Sequence, residues 1–410
     1  MENERYHYDE ATGQLIIKDG VTEIDDEEFK DWIDLEHVVL SDSVTSIREN
    51  AFAGCKRLTE INLPDGMVKI GKGAFYYCKE LKKINLPDSL IYIGERAFED
   101  CTNLEEIVLP DGLIEIDKCA FEYCRSLTEI NLPKRLTKIG ERAFKYCTNL
   151  EEIVLPDGMT KIGNRAFEHC ESLTAINFPD GLREIGKFAF EHCISLRKIV
   201  LPDSVTSIGD RAFSGCTDLI EIKLPKNLTS IGNWTFSGCT ALTEIKLPKN
   251  LTSIGNWTFS GCTDLIKIDV PYGVTKIGDS AFYDCTSLTK IKMPDAVTKI
   301  GNYAFAVCRS LKKINLPESL TSIGIGAFSG CTSLIEIKIP NGVTSIGESA
   351  FGSCEFLRKV VFPKSLNLLS SDAFDNCETL NKVVYYKNTE NILRECVGDK
   401  WTKLIKDILE

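Results

Sequence analysis

Residues 132–154 read LPKRLTKIGERAFKYCTNLEEIV, and residues 155–177 repeat the frame as LPDGMTKIGNRAFEHCESLTAIN. Leu150, Ile153 and Leu155 form an L-x-x-I-x-L run whose end alternates inward, outward, inward, as a short strand does. Pro156-Asp157-Gly158 ends it, because proline fixes φ and has no amide to place in a ladder. Met159 and Ile162 make a second short extended piece, closed by Gly163. Ala166, Phe167 and Cys170 are then spaced i, i+1, i+4, which predicts one face of a single helical turn. No such unit can bury its apolar groups alone. Neighbours stacked about 4.8 Å apart can.

The frame extends outward without a slip. All 14 prolines, from Pro64 to Pro363, fall on a step of 23, as do 15 of the 17 cysteines, from Cys55 to Cys377; Cys119 and Cys396 lie off it. Fifteen phenylalanines precede those cysteines by three residues. A chain of 410 residues would ordinarily make two or three domains, but this period predicts one extended repeat domain. The expected fold is an α+β repeat, a right-handed leucine-rich-repeat solenoid of about 16 coils, each with short parallel strands and one helical turn.

The ends depart from the pattern as caps do. Residues 1–39 read as an N-terminal cap, a hairpin around Thr12-Gly13 followed by a degenerate repeat in which Trp32 replaces cysteine. Residues 40–386 carry the repeats. Residues 387–410 read as a C-terminal helical cap, with Leu393, Trp401, Leu404, Ile405 and Ile408 on one face.

The motif L-P-x-x-[LV]-x-x-I-G-x-x-A-F-x-x-C-x-x-L-x-x-I, running from Leu40 to Tyr386, resembles the BspA-type, or Treponema pallidum-type, leucine-rich repeat. The resemblance implies a non-enzymatic solenoid engaged in adhesion or host contact, secreted or held at a cell surface. The polar, acidic start from Met1 to Glu10 lacks the build of a secretory signal and no anchor is evident, so the chain as it stands reads as cytoplasmic.

Chemistry is sparse. A net charge of −12 argues against nucleic-acid binding, and no apolar run is long enough to insert in a membrane. No two cysteines have metal-ligand spacing, so the column reads as buried thiols, with no metal and no cofactor expected. Gly66 to Gly73 imitates a phosphate loop but puts Gly73 in the hydroxyl slot. His169 and His192 occupy equivalent places in adjacent coils and should lie close together. No inserted loop builds a pocket, so an enzyme is not expected.

The residues flanking the strand isoleucine should face outward. From Glu60 to Val200 those columns hold four acids and two lysines; from Glu221 to Val384 they hold nine lysines and four acids. Lys246, Lys267, Lys290, Lys292, Lys313 and Lys338 are the candidate partner-binding residues of this stripe. Like charges on neighbouring strands cost stability, which an anionic partner would offset. Trp234 and Trp257 stand in adjacent coils, as an aromatic docking patch or as packing inherited from duplication of residues 221–240 as 244–263. A protein partner is the leading expectation, an anionic carbohydrate the alternative, and the chain is expected to be a monomer.

Overall fold

The computed structural model describes residues 4–397 and 404–409, in two compact units, residues 1–205 and 206–410. Each is a parallel β-solenoid. In the first, Tyr6–Asp9 and Gln14–Ile17 form an antiparallel hairpin, and Gln14–Ile17 pairs in parallel with His37–Val39. The ladder continues through Glu60–Asn62, Lys83–Asn85, Glu106–Val108, Glu129–Asn131 and Glu152–Val154 to Ala175–Asn177, a sheet of nine strands. Residue i pairs with i+23, as Glu106 does with Glu129. The second extended piece makes its own short ladder, from Glu23–Ile24 through Ser46–Ile47 and Lys69–Ile70 to Tyr92–Ile93. Gly163 at the end of that piece has a physical reason. A Cβ there would lie 2.6 Å from backbone atoms of Gly140 in the coil below.

The second unit carries a six-stranded ladder from Ser253–Ile254 to Leu368–Leu369. Its main face is made of separate pieces. Lys267–Asp269 pairs with Lys290–Lys292, and Glu336–Lys338, Lys359–Val361, Lys382–Tyr386 and Ile405–Leu409 form a four-stranded sheet. Residues 244–246 keep only the single bridge Glu244 to Lys267, and residues 313–315 form no strand.

The core is columnar. Phe121, Phe144 and Phe167 stack at 5.4 and 5.5 Å with rings within 5° of parallel, and all are fully buried. All 17 cysteines are free thiols. The repeat cysteines also donate a hydrogen bond, as Cys170 Sγ does to the Phe144 carbonyl at 3.2 Å. Burial pushes the Cys262 thiol up to about 12, which disfavours the reactive thiolate there. The Pro-Asp turns close as ordinary turns, with the Leu90 amide donating to the Pro87 carbonyl at 3.0 Å.

The structure departs from expectation in two places. The segment Arg165–Cys170 is a run of tight turns, not a helical turn. Arg165 and His169 are left-handed, with φ of 58° and 60°. Every other amide leaves the coil: those of Arg165, Phe167 and His169 bond Lys187, Ala189 and Glu191 of the next one. Inter-coil bonding thus offsets the left-handed strain. The closing segment is the other departure. A helix spans Glu390–Val397, but Ile405–Leu409 pairs as a strand with Lys382–Tyr386, so Ile405 and Ile408 are not helical. Trp401 lies outside the described residues.

Candidate binding face

The outward columns stand where the alternation placed them. Strands such as Lys267–Asp269 and Lys290–Lys292 bury the central isoleucine and expose both neighbours. At the C-terminal end the face closes over, and Val384 is buried although its column faces outward elsewhere.

The lysine stripe sorts into two groups. Lys267 meets Glu244 at 2.9 Å, Lys313 meets Glu336 at 3.7 Å, and Lys338 meets Glu318 at 3.3 Å. These exposed pairs contribute little stability, but they neutralise charge. Lys246, Lys290 and Lys292 are exposed and have no ion pair among the described residues. Lys292 reaches over the Tyr272 ring at 5.7 Å. Lys267 and Lys290 are directly opposed in the ladder, as the sequence required.

Two clefts open where the strand ladder is missing. One of about 640 Å³ is lined by Lys223, Lys226, Lys246 and Lys249 above Ile222 and Leu224. Another of about 420 Å³ lies between residues 313–318 and 336–340.

Trp234 and Trp257 stack at 4.4 Å, 3° from parallel, on the turn-bearing side of their coils. Arg211 covers Trp234 at 4.6 Å, and Tyr283 tilts against Trp257 at 5.8 Å. Each indole face therefore has an intramolecular neighbour, and both side chains remain half-buried. His169 and His192 do lie together, at 4.7 Å, but as the end of a ring ladder with Tyr123 and Tyr146.

One cluster escaped the sequence reading. Possible ligand atoms of Glu99, Cys119 and Glu122 lie within 4.8 Å of one another. Cys119 stands where Arg96, Arg142 and Arg165 stand in other coils. In the equivalent place Glu168 is held by Arg165 at 2.9 Å and Lys145 at 3.2 Å. Glu122 loses its own arginine to Cys119, and Glu99 Oε2 accepts no hydrogen bond, with Arg96 3.4 Å away. Burial, against Arg96 and with Glu122 beside it, pushes Glu99 up to about 7. The Cys119 thiol is pushed up to about 12, chiefly by burial.

This shift has a consequence for stability. Folding favours protonated Glu99, so its contribution is complete below the ordinary value of 4.5 and is lost as pH rises through about 7. The first unit should lose on the order of 1–2 kcal/mol between those limits, after discounting for partial solvent access. Glu99→Gln should flatten that slope in urea melts across the same pH range. An unchanged slope would assign the dependence elsewhere.

Comparison with known proteins agrees with this architecture. The BspA type leucine rich repeat region, a six-copy profile, matches residues 2–124, 68–197, 137–266, 183–309 and 275–400. A leucine-rich repeat protein from Bacteroides ovatus is 30% identical with a TM-score of 0.78, covering 99% of this chain and 98% of that one. Another from Eubacterium ventriosum is 26% identical with a TM-score of 0.52, covering 78% of this chain and 90% of that one. No curated protein matches the sequence. Among the described residues no helix is long and apolar enough to cross a membrane. Period, columnar core and profile agree, and the chain belongs to the BspA-type leucine-rich-repeat family.

Proposed function

We propose that the protein is a non-enzymatic interaction scaffold that binds an acidic surface of a partner protein through the lysine-bearing sheet face of residues 206–410. The observation that supports this is the group Lys246, Lys290 and Lys292, exposed in a chain of net charge −12 and without an ion pair among the described residues. Lys290 stands directly opposite Lys267 in the ladder, a like-charge pairing that costs stability and that an acidic partner would offset. In a surface-exposed setting the same interaction would be adhesion.

Such binding is charge-driven and therefore screened. A fluorescent glutamate-rich peptide should bind the full chain at about 50 mM salt and lose affinity at least ~10-fold at about 300 mM. Equal affinity at both concentrations would contradict the reading. A heparin fragment that binds where the peptide does not would transfer the face to anionic carbohydrate.

A further inference from the structure

We propose that the cleft between Glu221–Lys223 and residues 244–246 receives an extended acidic segment of the partner protein, its main chain along the interrupted ladder and its carboxylates among Lys223, Lys226, Lys246 and Lys249. This rests on the sheet-face reading and gives it a place. The cleft measures about 640 Å³, within the range of sites that enclose a small ligand or a few residues.

Three features converge there. The first is charge. Two successive K-L-P-K-N runs, Lys223–Asn227 and Lys246–Asn250, bring four lysines to one opening. Of the two acids at the rim, Glu244 is already held by Lys267 at 2.9 Å. The 420 Å³ cleft is a useful contrast. It lies at a similar break with Lys313 on Glu336 and Lys338 on Glu318, whereas Lys223, Lys246 and Lys249 have no ion pair among the described residues.

The second feature is the main chain. Among the described residues no ladder joins Glu221–Lys223 to residues 244–246, and the latter keep a single bridge, to Lys267. Backbone donors and acceptors outside a ladder need water or a ligand. An extended peptide supplies both kinds of group at strand spacing, and its alternate side chains point the same way.

The third is the floor. Ile222, Leu224 and Pro248 are buried beneath the lysines, so apolar side chains between the carboxylates have somewhere to go. An acidic sugar would use the lysines alone. No aromatic residue lines the cleft to give it a platform.

The test is a random peptide library displayed on phage and panned on the full chain. The same panning is done on Lys223→Glu/Lys246→Glu and on the control Lys276→Glu/Lys299→Glu, which alters the other sheet by the same charge. Sequences with Asp or Glu alternating with apolar residues should be enriched. A synthesised representative should bind the cleft variant at least ~10-fold more weakly and the control nearly as well as the parent. Lys223→Met/Lys246→Met, which keeps the side-chain stems, should show a smaller loss in the same direction, and circular dichroism checks that each variant folds. Acidic peptides that bind the cleft variant undiminished would overturn the cleft and leave the lysine face standing. Enrichment of peptides without acidic residues would overturn both.

Discussion

Replacing Phe144 with alanine should lower the unfolding free energy by about 3–5 kcal/mol. The ring is fully buried and stacks on Phe121 at 5.4 Å below and Phe167 at 5.5 Å above. Removing it deletes two ring contacts and opens a void that the backbone cannot close. That backbone is fixed by inter-coil bonds such as the Phe144 amide to the Ala166 carbonyl at 2.8 Å. Because each coil is stabilised mainly by its neighbours, the loss should spread along the first unit. Glu152→Ala, in an exposed outward column, should stay within about 0.5 kcal/mol. Urea denaturation followed by circular dichroism reads both. A loss at Phe144 below about 1 kcal/mol would mean that the phenylalanine stack is not what joins the coils.

The second large effect concerns binding. Lys290→Glu with Lys292→Glu should weaken association with an acidic partner about 100-fold, near 2.7 kcal/mol. Both side chains project from one exposed strand face, so the fold should be unaffected. Lys276 and Lys299 are equally exposed and directly opposed in the other ladder of the same unit. Reversing those two changes the net charge by the same amount. Equal losses from both pairs would mean a response to overall charge, with no docking face. No loss from Lys290 and Lys292 would remove this strand from the interface.

Much of the fold was legible because the period is unbroken and each apolar column has one geometric role. The burial of Phe167 and Cys170, the turn after each proline and the exposure of Lys290 and Lys292 follow from spacing alone. The left-handed turns were not legible. Arginine seldom adopts positive φ, and amide bonds from Arg165 and His169 to the next coil hold both residues there. The closing strand was misread because Ile405 and Ile408 fit a helical spacing. The five-residue pairing with Lys382–Tyr386 decides otherwise.

Of the candidate site, the stripe was visible and its grouping was not. Which lysines are neutralised depends on acids in other coils, such as Glu318 opposite Lys338. The cleft has no local signature at all. Glu221–Lys223 is a strand and residues 244–246, with the same sequence E-I-K, are not. The Glu99 cluster was hidden for the same reason, since it joins residues of two coils through one exchanged arginine position.

The most direct test of the lysine face is photo-cross-linking of a bound acidic peptide. A photo-reactive phenylalanine is placed in turn at position 292, on the sheet face, and at position 257, on the turn side beside Trp234. Cross-links should form from position 292 and disappear at high salt, and none should form from position 257. Cross-links from position 257 alone would place the partner on the tryptophan edge and contradict it.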